Sequence, residues 1–221
     1  CAIGAYAAEP VKIARAHAHE VTGSPGATVL GTLHRSSPEQ AAFTNGVMAR
    51  YFDFNDCSQS LEPGHPSDNI VTLLAVAEWH ECSGRDLLLA MVAAYEVNMR
   101  FQDLPGPRLL WHRGWHHSGI CAYAAGAGLS VLLGLDGPQT ANALALGGAR
   151  SNTFSEIRHG DIPMDKALSA PIIASQSILY ALLAKEGFSV ARSTLERHLR
   201  QKGLSRLIQT ERKQQKHVEH L

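Results

Sequence analysis

Ser118-Gly-Ile-Cys-Ala-Tyr-Ala-Ala-Gly-Ala-Gly-Leu-Ser-Val-Leu-Leu-Gly-Leu135 contains no charged residue. The run is almost long enough to cross a bilayer. However, Gly119, Gly126, Gly128, Ser130 and the alanines leave it only weakly hydrophobic for that purpose. A segment that is apolar all round and built from small residues is expected to be an internal helix, closely approached by its neighbours. The spacing predicts that helix over 117–133, with Gly134 as its stop.

Working outward from it, most long segments repeat apolar residues at three- and four-residue intervals, and cap or stop residues separate them. On the C-terminal side, Pro138 starts a shorter helix ending near Gly147-Gly148. Residues 150–165 read as an irregular loop. Pro171 suits the first position of a helix that runs through 183 and ends before Gly187. On the N-terminal side, Pro105-Gly106-Pro107 breaks the pattern, and Ser83 with Asp86 is the spacing of a capping box opening a helix through 99. Pro66 opens another, to about 81, and the two should form an antiparallel hairpin. Ser37, Pro38 and Gln40 start a helix through about 51, followed by a loop over 53–64. Strand-like alternation is scarce. The fold expected is all-α, a compact bundle of antiparallel, alanine- and glycine-rich helices.

With 45% apolar and 18% charged residues, the chain has the composition of an ordinary globular protein rather than a disordered one. The net charge is zero but unevenly placed. From Ala191 onward there are eight Lys/Arg against three Glu, so a basic tail over 191–221, partly helical or disordered, follows a mildly acidic body over 1–190. No basic face or nucleic-acid-reading motif accompanies the tail, and nucleic-acid binding is not expected. Cys1, Cys57, Cys82 and Cys121 are scattered and form no CxxC pair, which fits a reducing cytoplasm and suggests neither zinc nor an iron–sulfur cluster. The opening Cys1-Ala2-Ile3-Gly4 has no charged-then-apolar signal and no Met, and reads as a fragment or processed product.

Several polar residues fall at helix entrances. Asp53 and Asp56 follow one helix, His65 precedes the next, His116 and His117 open the Gly/Ala helix, and Lys166 precedes Pro171. Helix entrances expose unpaired N–H groups and partial positive charge, so their convergence would make a receptor for carboxylates, to which Lys166 adds a full charge. A histidine held there tends to stay neutral and so remains available as a base. Plainer roles also exist. His65 would simply cap its helix, and Asp53 and Asp56 would bind loop N–H groups. His17 and His19 read as solvated. His112 and His116 are four apart, but Gly114 and Pro107 interrupt the helix a shared metal would need, and no metal or other cofactor is expected.

The segment Ala41-Ala-Phe-Thr-Asn-Gly-Val-Met-Ala-Arg-Tyr-Phe-Asp-Phe-Asn-Asp56 resembles a signature of the MmgE/PrpD family, the 2-methylcitrate dehydratase and cis-aconitate decarboxylase group. Gly64-His-Pro-Ser67 is similar to the family's element opening the next helix. So are Ser83-Gly-Arg-Asp-Leu-Leu-Leu-Ala-Met-Val-Ala-Ala-Tyr-Glu-Val97, Gly114-Trp-His-His-Ser-Gly119 and the lysine loop Arg158-His-Gly-Asp-Ile-Pro-Met-Asp-Lys166, all in family order. The resemblance covers about residues 1–190 and implies the family's helical domain, N-terminally incomplete and without the lid-like α/β domain.

It further implies a lyase that dehydrates a 2-methylcitrate-like acid or decarboxylates a cis-aconitate-like one. Asp53, His65, His116 and Lys166 would be the catalytic residues. Lys166, Arg158, His117 and Cys57, which stands where the family usually has threonine, would contact a small tricarboxylate. His65 and His116 would transfer protons in an order the sequence does not decide, Asp53 would orient or protonate a partner, and Lys166 would hold a carboxylate. A homodimer is also implied. The alternative is a truncated, inactive homologue acting as a dimerising interaction domain.

Overall fold

A computed structural model describes residues 1–104, 109–160 and 164–190, with the side chains of Arg158 and Lys166 outside that description. The tail over 191–221 also lies outside the described residues. Among the described residues, seven α-helices follow in chain order: α1 (Glu9–His19), α2 (Pro38–Arg50), α3 (Ile70–Trp79), α4 (Gly84–Gln102), α5 (Gly119–Leu133), α6 (Gly137–Arg150) and α7 (Ser169–Lys185). Two antiparallel strand pairs, too short for any alternation to show in the sequence, interrupt them. β1 (Ala27–Thr28) pairs with β2 (Arg35–Ser36), and β3 (Ser58–Gln59) with β4 (Pro63–Gly64). The all-helical expectation therefore holds. Among the described residues, no helix is long and apolar enough to cross a membrane.

α5 is the axis of the bundle. Every residue in it except Ala127 and Val131 is buried, and it packs on α4, α6, α7 and α3. The absence of side-chain bulk permits this. A methyl group added to Gly128 would lie 2.7 Å from Leu73 and 2.9 Å from the carbonyl oxygen of Ala90. The Ser130 hydroxyl is satisfied within the helix, since its Oγ donates to the Gly126 carbonyl at 2.7 Å. Around α5 lies the main core, which includes Leu73, Val76, Ala90, Ala94, Leu129, Leu132, Ile178 and Ala181. A smaller core of Val11, Ala14, Val47 and Met48 joins α1 to α2.

Local signals set most helix ends. Ser83 and Asp86 form a complete capping box at α4, Ser37 Oγ accepts from the Gln40 N–H at α2, and Gly134 closes α5 in the left-handed conformation at φ 63°. Four expectations need correction. Pro66 opens a 3₁₀ turn (Pro66–Asn69) that passes into α3, and α3 ends at Trp79, short of residue 81. α4 packs mainly along α5 rather than pairing closely with α3, because its buried Ala90 and Ala94 face the small residues of α5. α6 runs through Gly147-Gly148 to Arg150. These glycines admit Ala122 and Tyr123 of α5 and do not terminate the helix. Pro171 is the third residue of α7, still in the first turn, where a missing N–H breaks no intrahelical bond.

Candidate active site

The C-terminal end of α2, the 3₁₀ turn before α3 and the entrance to α5 meet at one end of the bundle. The organiser is Arg50, in the last turn of α2, whose side chain is only 11% exposed. Its guanidinium reaches Asp53 Oδ1 at 2.8 Å, Asp68 Oδ1 at 3.5 Å and Asn55 Oδ1 at 2.8 Å. Asn55 in turn donates to Asp68 at 2.8 Å and to Ser67 Oγ at 3.0 Å. One planar cation thus gathers the loop after α2 against the start of α3. Burial pushes the Asp68 carboxyl up to about 7, and Arg50 and Asn55 offset that rise only in part.

Asp56 does what loop acids commonly do. Its Oδ1 accepts from the Ser67 backbone N–H at 3.0 Å and from the Ser67 hydroxyl. Burial, with the Asp56 carboxylate adding to it, pushes Tyr95 up to about 12. Asp53 differs, because it holds a left-handed backbone (φ 55°) that few residues other than glycine adopt, and the ion pair to Arg50 helps keep it there.

His65 precedes the 3₁₀ turn, but its side chain does not cap it. Instead Nδ1 donates to the Asp56 carbonyl at 2.7 Å, and Nε2 lies 3.7 Å from Asp53 Oδ1. Its pKa is lowered from 6.5, first by burial and then by the Arg50 charge, and the nearby carboxylates only partly oppose this. The His117 ring stands 5.7 Å from that of His65 and 4.1 Å from that of His116, centre to centre. His116 Nδ1 lies 3.2 Å from the Ser118 backbone nitrogen and 2.8 Å from Ser118 Oγ, and the His116 backbone N–H donates to the Thr153 carbonyl.

Asp53, His65, His117 and His116 therefore form one continuous series. Its His117–His116 end borders a cavity of about 250 Å³ lined also by Glu62, Pro63, Trp111, Trp115, Ser155 and His159, and Asp53 and His65 are not among the lining residues. Cys57 is exposed and is not among the lining residues, and its Sγ accepts from Gln59 Nε2. The backbone of Lys166 lies in a 3₁₀ turn (Met164–Leu168) packed on α2 and α7, but the side chains of Lys166 and Arg158 are outside the described residues. His112 stacks on Trp111 in a 3₁₀ turn that Gly114 ends with φ 83°, so no helix aligns it with His116. Among the described residues there is no cluster of three or more metal-ligating side chains.

The sequence reading did not pick out Arg50, Asn55 and Asp68, or the cavity walls Trp111, Trp115 and His159. Arg50 offered a signal, being the one cation of α2, at its end, and followed by the acids Asp53 and Asp56. Asp68 offered none, because an acid in the first turn of a helix reads as a cap.

The fold is thus a helical domain with a buried charge network beneath three neighbouring imidazoles. The family model of the MmgE/PrpD N-terminal domain matches residues 1–215, and the chain belongs to the MmgE/PrpD family. Among curated relatives, it is 32% identical over 174 residues to the mitochondrial 2-methylcitrate dehydratase of Yarrowia lipolytica, covering 73% of this chain and 33% of that protein. It is also 32% identical over 174 residues to the 2-methylcitrate dehydratase of Escherichia coli, covering 73% of this chain and 35% of that one. An alkylcitrate dehydratase from a fungal species is 33% identical over 129 residues, 52% of this chain and 25% of that protein. The match thus spans about a third of the length of these relatives.

Proposed function

We propose that this chain supplies the proton-transfer half of a lyase that removes water from a small hydroxy tricarboxylate of the 2-methylcitrate type. The observation that carries the reading is the series Asp53, His65, His117 and His116 beside a cavity, with His65 held below its ordinary pKa. Dehydration α,β to a carboxylate needs a base for a carbon-bound proton and a donor for the oxygen that gains charge, and neutral imidazoles serve both needs near neutrality. The relatives named as dehydratases of 2-methylcitrate and alkylcitrate support water loss over carbon dioxide loss. In this reading Lys166, with Arg158, binds substrate carboxylates.

The test is incubation of the full-length protein with a panel of citrate-like acids, followed separately for double-bond formation and for carbon dioxide. Double-bond formation that falls about 10²-fold or more in Lys166→Ala is expected. Carbon dioxide release alone, or no turnover of any acid in the panel, overturns the reading.

A further inference from the structure

His65 and His116 make different hydrogen bonds, and each of these fixes where the ring proton sits. A backbone carbonyl has no proton to give, so the 2.7 Å contact between His65 Nδ1 and the Asp56 oxygen requires Nδ1 to carry the hydrogen. The lone pair of neutral His65 is therefore on Nε2. A backbone N–H can only donate, so the 3.2 Å bond from Ser118 requires His116 Nδ1 to be the acceptor, and the hydrogen of neutral His116 is on Nε2. The Ser118 hydroxyl, 2.8 Å from the same atom, can donate to it as well. Protonating Nδ1 of His116 would set it against the Ser118 N–H, so this tautomer is held by the entrance of α5 itself.

We propose that the two imidazoles are locked in opposite tautomers, making His65 Nε2 the general base of the site and His116 Nε2–H its hydrogen-bond donor. The assignment rests on the dehydratase reading above. His65 Nε2 takes the proton α to a carboxylate, and the C–H electron pair moves into that carboxylate, forming an enediolate. An enediolate oxygen accepts from His116 Nε2–H, which stabilises the new charge without giving up its proton. The pair then returns to form the carbon–carbon double bond as the β C–O bond breaks. The departing hydroxide recovers the proton from the His65 imidazolium and leaves as water, so that both histidines end neutral. Asp53 Oδ1, 3.7 Å from His65 Nε2, is the group that faces the imidazolium while it lasts.

The decisive measurement is nitrogen NMR of isotope-labelled histidine in the wild-type chain at about pH 8, where ordinary imidazoles are neutral. Each ring is assigned through bonds to its own backbone. An Nδ1–H form at His65 and an Nε2–H form at His116 are expected, and equal or exchanged forms overturn the proposal. In the full-length enzyme in heavy water with citrate, His65→Gln should lower deuterium incorporation at the α-carbon by about 10²–10⁴-fold and abolish the acid limb of the rate profile. His116→Gln should lower kcat by about 10²–10³-fold but keep that limb. Loss of the limb in His116→Gln, with its retention in His65→Gln, would reverse the roles. A wild-type enzyme inert to every citrate-like acid would refute the dehydratase reading, while the NMR result would still decide the tautomers.

Discussion

Along residues 122–133, neighbouring helices approach α5 until an added methyl group would collide, whereas at its entrance, residues 116–118, the surroundings are imidazoles, hydroxyls and a carboxylate network under one arginine. The interior region is specified by volume and contains almost no charge. The entrance is specified by charge and hydrogen-bond direction and leaves space for a ligand. The same bundle can therefore be damaged in two independent ways, by size in one region and by charge in the other.

The largest effect should come from the charged region. Arg50→Ala leaves the buried Asp68 carboxylate without its cation and frees Asp53 from its partner, and breaking a buried pair in this way typically costs about 3–5 kcal/mol. Chemical denaturation should show that loss, and Arg50→Lys should recover little of it, because an ammonium cannot span Asp53, Asp68 and Asn55 together. A cost below that of a surface substitution would mean the network is not what joins α2 to α3.

A smaller effect in the same region is a dependence on pH. With Asp68 raised from 3.8 to about 7, the folded protein holds a proton that the unfolded chain has lost, so this group's contribution is full below 3.8 and disappears as pH rises through about 7. The slope is at most about 1.4 kcal/mol per pH unit. His65 acts in the opposite sense. Its lowered pKa gives stability present above 6.5 and lost as pH falls through its folded value. Asp68→Asn should therefore remove the fall in stability between 3.8 and about 7, and His65→Gln the opposing rise that ends near 6.5. Denaturation midpoints of the three proteins across that range separate the two, and an unchanged slope in Asp68→Asn would show that Arg50 keeps the carboxyl ionised throughout.

What the sequence made legible follows the same division. The helix ends at Ser83 and Gly134 could be read because a cap and its partners lie within a few residues, and the burial of α5 could be read from composition alone. Gly147-Gly148 misled because a glycine that stops a helix and one that admits a neighbouring ring are identical in one dimension. At the site, motif resemblance selected Asp53, His65, His116 and Lys166 as catalytic; the structure places the first three in one series with His117, and the Lys166 side chain lies outside the described residues. Arg50 and Asp68 are eighteen residues apart, and neither carries a local sign of the other. Which ring nitrogen bears the hydrogen depends on the carbonyl of Asp56 and the N–H of Ser118, whose directions exist only in three dimensions.

In the interior region, Gly128→Ala should cost about 1–3 kcal/mol, since the new methyl meets a backbone oxygen that can yield only if α4 shifts from α5. Gly137→Ala is the matched control. It lies in the first turn of α6, and nothing stands within 4 Å of the added methyl. Equal stability of the two variants would refute close packing as the constraint on α5.

The smallest effect predicted tests whether either region extends to the far ends of the helices. Ser83 caps α4 through an exposed, reciprocal box with Asp86, and the hydrogen bonds from Ser83 hold the Asp86 carboxyl below its usual range. Ser83→Ala should cost about 1 kcal/mol, within the range for lost helix caps. Its nitrogen NMR signals for His65 and His116 should match those of the wild type, because neither residue of the box lines the cavity or contacts the Arg50 network. Altered histidine signals in Ser83→Ala would mean that α4 transmits strain to the entrance of α5, and the two regions would then have to be treated as one.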